Sequence, residues 1–328
     1  LAVVMKAIVC RKLGPPSNLS LEECPAQDIS DECVRIKICA AGVNFPDILM
    51  VAGNYQHKPT LPFIPGFEVS GQILETGKKC SRLRIGDKVI ASMRTGGYAE
   101  ECIVPTVSVR HLPTSFSFSQ GAVFQVAYST AYVSLVSKGT LLKQETLLVH
   151  GAAGGVGLAA VQLGKALGAE VIATVGTEKK VALTKRAGAD HVIVINSDGF
   201  REQVKELTNG NGADVIYDPV GGDIFDESLR CVAWGGRLLV VGFAGGRIPA
   251  APANRILIKG CSIIGVRAGE FARRHPNQGN ENYEVMLKMA DKGLLKPHIH
   301  AEVPLTQASR AMDLLTQRKV VGKVVLVP

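Results

Sequence analysis

Charge is sparse in this 328-residue sequence: Asp, Glu, Lys and Arg make up 20% of it, aromatic residues 5%, with one Trp. Sparse charge beside 46% hydrophobic residues excludes intrinsic disorder. Long apolar runs are also missing. The least charged long window, Leu147–Gly164, holds five glycines, His150 and Gln162, so no membrane span is expected. None of the eight cysteines forms a C-x-x-C pair or stands at zinc-finger spacing from a His, and there is no H-E-x-x-H. The thiols therefore read as reduced and mostly buried, in an intracellular protein whose compartment, cytoplasm or mitochondrial matrix, stays open. No signal peptide is recognised, and the sequence opens LAVV ahead of Met5. Repeats and low-complexity segments are absent, and the 35 glycines follow no G-X-Y period, which excludes collagen.

The net charge of +8 invites a nucleic-acid reading. It is spread as +3 over residues 1–150, +1 over 151–265 and +4 over 266–328. Doublets such as Lys78–Lys79 and Arg273–Arg274 are solvated faces rather than a stripe, so no nucleic-acid partner is expected.

A chain this long divides into two domains by default. Residues 5–110 are short apolar runs punctuated by Gly and Pro, the mark of a β-rich region. One helix is predicted over Ser119–Gly139. From Thr146 strands and helices alternate: strands at Thr146–His150, Glu170–Val175, His191–Ile195, Asp214–Asp218, Arg237–Val241 and Ser262–Val266, with helices between. That rhythm demands an α/β fold, a doubly wound parallel sheet of Rossmann type. Helices at Tyr283–Lys292 and Leu305–Gln317 and a strand at Lys323–Val327 follow.

The glycines concentrate where the rhythm changes, with 20 of the 35 in residues 151–265. Strand Thr146–His150 runs into Gly151-Ala152-Ala153-Gly154-Gly155-Val156-Gly157, which opens a helix. Gly154 admits a pyrophosphate to the backbone, Gly157 lets helix and strand pack closely, and the helix N-terminus offers N–H groups to phosphates. Ala152 replaces the first glycine of G-x-G-x-x-G. A dinucleotide site for NAD places an acid about 20 residues further on. Here the window reads Ala173-Thr174-Val175-Gly176-Thr177, and Lys179 and Lys180 follow. A carboxylate repels a 2′-phosphate and a cation attracts it, so the expected cofactor is NADPH, with Glu178 the one nearby acid.

The segments AAGVNFPDILMVAGNY (40–55), LPFIPGFEVSGQI (61–73), GGYAE (96–100), HGAAGGVGLAAVQLGK (150–165), YDPVGG (217–222), GGRLLVVGFAGG (235–246) and GKVVLV (322–327) carry a resemblance. In their order and spacing the chain resembles the medium-chain dehydrogenase/reductase superfamily, and within it the zinc-free NADPH:quinone oxidoreductases of the zeta-crystallin group. It departs from the zinc alcohol dehydrogenases: Gly66-Phe67-Glu68 stands for their G-H-E, Asn44 for their first catalytic Cys, and the four-Cys loop has no counterpart. No zinc or other metal is therefore expected, and alcohol oxidation is disfavoured.

The resemblance implies a GroES-like β-barrel catalytic domain over 1–124 and 267–328, a Rossmann domain over 125–266, and a homodimer through the edge strand Ser262–Val266. It also implies roles for single residues. Asn44 lies near the nicotinamide ribose and Thr130 lines the nicotinamide. Gly154, Gly155 and Val156 meet the pyrophosphate, and Gly176, Thr177 and Lys180 the adenosine ribose phosphate. Gly242 and Phe243 approach the nicotinamide side, and Lys323 closes on the phosphates. Tyr55 is the candidate donor to a developing oxyanion, or else a wall residue. The implied reaction is hydride transfer from NADPH to a small electrophile, a quinone or related activated alkene. Two alternatives stay open: a reductase of enoyl thioesters or alkenals, and a low-turnover NADPH-binding structural or RNA-binding protein.

Overall fold

Strand Thr146–Val149, TLLV, is buried at all four positions, and Glu170–Val175 is buried at every position after its Glu. Such continuous burial is what a parallel strand covered on both faces shows. The computed structural model describes residues 4–328 and divides them into two units.

One unit is Ala127–Leu295. Its sheet has six parallel strands, in the order His191–Val194, Glu170–Val175, Thr146–Val149, Ala213–Asp218, Val232–Val240, Ser262–Gly265. Numbered along the chain this is 3-2-1-4-5-6, the doubly wound order whose ligand crevice lies where the first and fourth strands part. Ile172, Ile193, Phe200, Ile216, Leu229 and Leu238 centre its core.

The other unit runs to Val126 and resumes at Lys296–Pro328. Cys33–Val43 alternates buried and half-exposed side chains through most of its length, as an antiparallel strand with one covered face does. It joins a seven-stranded sheet in which Ile299–Pro304, Lys323–Val327, Cys33–Val43, Glu68–Thr76, Lys88–Ser92 and Val109–His111 are successive neighbours and Glu101–Pro105 pairs with Cys33–Val43. Val4–Cys10 and Leu19–Pro25 form a separate hairpin pair. Ile36, Val69, Ile73, Val89, Val324 and Leu326 fill the core.

Two expectations change. The helix over Ser119–Gly139 is broken into Phe118–Gly121 and Phe124–Tyr132, then widened over Val133–Lys138. Ser134 Oγ donates back to Thr130 O at 2.6 Å and Gly139 N reaches Ser134 O, five residues back. Back-bonding of this kind loosens a helix. The second domain boundary also moves, from 266 to 295. Helices Ala268–Arg274 and Pro276–Asp291 belong with the parallel-sheet unit because the Lys138 ammonium lies 5.9 Å from the Phe271 ring and Asn282 Nδ2 donates to Ser137 Oγ at 3.2 Å.

Candidate active site

In the parallel-sheet unit the chain leaves Thr146–Val149 through the glycine turn, and helix Gly155–Ala166 begins at once. Gly154 is its N-cap and offers no side chain to the leading N–H groups, so those of Gly155 and Val156 lack an intrahelical acceptor. Across the strand-order reversal, Asp218 ends its strand and accepts from Val220 N and Gly221 N at 2.8 and 2.9 Å. Burial raises its carboxyl above the usual carboxylate range, and the two N–H groups pull it back. Val241 N and Gly242 N both donate to Asp218 O, and Ala244 N to Pro219 O, which brings Gly242 and Phe243 to the same crevice. Gly154, Gly155, Val156, Gly242 and Phe243 thus gather at the reversal. Gly176 and Thr177 follow the second strand and are exposed, with Lys180 half-buried beyond them. A helix N-terminus beside exposed backbone is chemically suited to phosphates. Thr130 lies in helix Phe124–Tyr132.

Under the turn sits His150, fully buried and tilted against the Phe200 ring. Its Nδ1 is 2.9 Å from Thr174 Oγ1 and its Nε2 is 2.8 Å from Ser228 Oγ. Ser228 gives its own proton to Ile224 O, so it accepts from His150 Nε2–H, and Nδ1 accepts from Thr174. The ring is therefore neutral, and burial depresses its pKa to about 3. An unfolded His titrates near 6.5, so the unfolded chain binds the extra proton between those values, and acid removes stability there. The slope approaches about 1.4 kcal/mol per pH unit. Thermal melts of the wild type and His150→Gln should show a gap that is widest at neutral pH and narrows toward pH 4; a constant gap would count against a neutral buried ring.

The second group of candidates lies in the other unit. Asn44 precedes helix Phe45–Val51, and Asp47, its third residue, accepts from Asn44 N at 2.9 Å. That is the return half of a capping box. The same carboxylate accepts from Tyr98 OH at 2.9 Å and Gly66 N at 3.1 Å. Burial pushes Asp47 up to about 7 against these hydrogen bonds. The Asn44 side chain makes no cap bond: its Oδ1 accepts from Lys323 Nζ at 2.5 Å, and its Nδ2 donates to Glu68 Oε1 at 3.0 Å. Lys323 also pairs with Glu68 at 3.3 Å, both side chains being buried (9% and 1% exposed). The expectation that Lys323 closes on cofactor phosphates thus meets a different geometry, an ammonium held inside its own unit. Tyr55 meets the ring of Phe67 edge-on, with centroids 5.8 Å apart.

The structure therefore joins Asn44 to Lys323 and sets Tyr55 beside the Gly66-Phe67-Glu68 turn. Sequence reasoning missed Asp47, Glu68 and Tyr98. The Asn-x-x-Asp spacing of a capping box was a readable signal for Asp47; Glu68 and Tyr98 lay inside the quoted segments Gly66-Phe67-Glu68 and GGYAE, but nothing there marked them as partners of Asn44 and Asp47.

Residues 30–130 match the family described as alcohol dehydrogenase GroES-like domain, and 155–290 the family described as zinc-binding dehydrogenase. The quinone oxidoreductase-like protein 2 homolog of Nematostella vectensis is 40% identical over 98% of this chain and 88% of its own. The chain belongs to the medium-chain dehydrogenase/reductase family. Among its relatives in that family, human quinone oxidoreductase is 33% identical over 98% of both chains. The crystal structure of Escherichia coli quinone oxidoreductase complexed with NADPH superposes with a TM-score of 0.89 at 29% identity, covering 98% of this chain and 100% of that one. This medium-chain dehydrogenase/reductase is accordingly an oxidoreductase.

The zinc in one family description can be tested against the donors present. Phe67 has no donor atom, Asn44 Oδ1 already faces an ammonium, and both Glu68 oxygens are taken, Oε2 by Val126 N at 2.9 Å. A second cation beside Lys323 would be repelled, so these residues do not fit zinc. No described helix is long and apolar enough to cross a membrane.

Proposed function

We propose that the protein is an NADPH-dependent reductase that passes hydride to quinones or related activated alkenes without a metal. The observation that carries this reading is the end of strand Glu170–Val175. The strand's last residues and the two that follow carry no acid: exposed Gly176 and Thr177 lead to Glu178, the one nearby acid, and then to Lys179 and Lys180. At the strand's end a 2′-phosphate meets open backbone, with two cations against a single carboxylate just beyond. Support comes from relatives named quinone oxidoreductases and from the NADPH in the Escherichia coli structure.

Bound NADPH supplies the hydride, so the work of the chain is positioning. The N–H groups of Gly155 and Val156, behind Gly154, hold the pyrophosphate. Gly176, Thr177 and Lys180 take the adenosine ribose phosphate, Gly242, Phe243 and Thr130 flank the nicotinamide, and Asn44 meets its ribose. A reduced quinone oxyanion takes a proton readily from water, so Tyr55 assists as donor without being obligatory. The protein acts as a homodimer through its last sheet strand. That reading rests on Ser262–Gly265 being an edge and on the exposure of Trp234, Leu257 and Ile258 (81%, 82% and 71%).

The test is oxidation of NADPH and NADH across quinones, alkenals and enoyl thioesters, with oxygen controls for redox cycling. NADPH with quinones should give the highest kcat/KM. Equal affinity for the two cofactors overturns the cofactor assignment, and preference for enoyl thioesters the acceptor. In the same assay Tyr55→Phe should lower kcat by about tenfold if the hydroxyl donates; unchanged turnover makes Tyr55 a wall.

A further inference from the structure

An amide side chain has two ends that differ in chemistry and hardly at all in shape, so what sets its orientation matters to anything it touches. At Asn44 both neighbours demand the same orientation. Lys323 offers only donors and lies 2.5 Å from Oδ1; the Glu68 carboxylate offers only acceptors and lies 3.0 Å from Nδ2. Turning the amide over would set its NH2 against an ammonium and its oxygen against a carboxylate. After these bonds Oδ1 keeps one lone pair, and the second Nδ2 hydrogen has only a 3.5 Å contact with Gly42 O.

Glu68 is itself held from several sides. Its Oε2 accepts from Val126 N at 2.9 Å, in the first turn of helix Phe124–Tyr132, where a negative charge is favoured. Its Oε1 is shared by Asn44 and Lys323. Room for the carboxylate depends on a glycine: a Cβ at Gly42 would lie 2.9 Å from Glu68 Oε1 and 2.3 Å from Ala122 O.

We propose that Glu68 is a positioning residue for cofactor binding: its carboxylate, with Lys323, locks the Asn44 amide in the one orientation that presents its remaining lone pair and N–H to the ribose hydroxyls. The proposal rests on the reading above that Asn44 meets the nicotinamide ribose. Glu68 touches neither cofactor nor acceptor and acts through Asn44.

A double-mutant cycle separates this role from simple support of the fold. NADPH dissociation constants are measured by fluorescence titration for the wild type, Asn44→Ala, Glu68→Gln and the double variant, with thermal melts beside them. Asn44→Ala and Glu68→Gln should each weaken NADPH by up to about tenfold, the worth of one hydrogen bond. In the Asn44→Ala background Glu68→Gln should add less than about twofold, because the amide it orients is gone. Multiplying losses overturn the proposal, and so does a Glu68→Gln protein that binds NADPH as the wild type does. If Asn44→Ala alone leaves the affinity intact while Glu68→Gln weakens it, Asn44 is not the ribose contact, and both the reading and the proposal fall. If only Glu68→Gln is silent, the reading stands and the proposal falls. Should Glu68→Gln not fold, Glu68→Asp keeps the charge, withdraws it by one methylene and enters the same cycle.

Discussion

Gly157→Ala should fail to give a stable protein, whereas Gly154→Ala, three residues earlier, should fold normally and lose NADPH. A Cβ at Gly157 would lie 2.2 Å from Gly151 O and 2.7 Å from Ala152 Cα, both backbone atoms of the turn beneath the helix. No rotamer relieves that overlap; the helix must lift off its strand, at a cost of about 3 kcal/mol or more. At Gly154 the added carbon meets only Gly151 O, at 3.3 Å, a contact that a small shift absorbs. It stands, however, where a pyrophosphate comes down on the N–H groups of Gly155 and Val156. Urea denaturation and NADPH titration separate the two: a loss of stability at 157, and an affinity loss of about 100-fold with a near-normal midpoint at 154. Normal NADPH binding by Gly154→Ala would remove the pyrophosphate from this turn.

Lys323→Met should strongly destabilise the other unit. The ammonium is the partner of a carboxylate that is 1% exposed, and removing it leaves Glu68 with the neutral N–H groups of Asn44 and Val126. Breaking a buried pair in this way costs about 3–5 kcal/mol, because the remaining charge keeps its desolvation penalty. Adding Glu68→Gln to Lys323→Met should therefore restore part of the loss. Chemical denaturation of the single and double variants measures it. A double variant no more stable than Lys323→Met would mean that the strand Lys323–Val327, and not the charge, had been damaged.

These two sites differ in how far the sequence exposes them, and the reason is distance along the chain. The dinucleotide turn is local: strand, glycines and helix lie within about two dozen residues, and the structure reproduces Glu170–Val175 and Lys323–Val327 at the expected bounds. Short elements escaped. Helix Phe45–Val51 spans two turns with Pro46 in its first, and strands Leu19–Pro25 and Ile299–Pro304 each end on a proline that hides their alternation. Helix Ala268–Arg274 sits in a segment rich in Arg that reads as loop. Asn44 was visible through its motif, but what it touches was not. Glu68 lies 24 positions away and Lys323 lies 279, and no periodicity reports a contact of that span.

The strand that carries Lys323 runs beside Cys33–Val43, in the interior of the seven-stranded sheet. A ribosome makes Cys33–Val43 early and its neighbour only after the entire parallel-sheet unit has emerged. During synthesis one flank of Cys33–Val43 therefore waits unpaired, and closing it brings together segments separated by most of the chain, the slowest kind of contact to form. The parallel-sheet unit, continuous in sequence, is free to fold first and to shorten that search by holding the two ends of its own segment at fixed positions. Vulnerability to aggregation before release would then sit on the exposed margin of an incomplete sheet, and Lys323 would arrive as the group that neutralises a buried acid already in place.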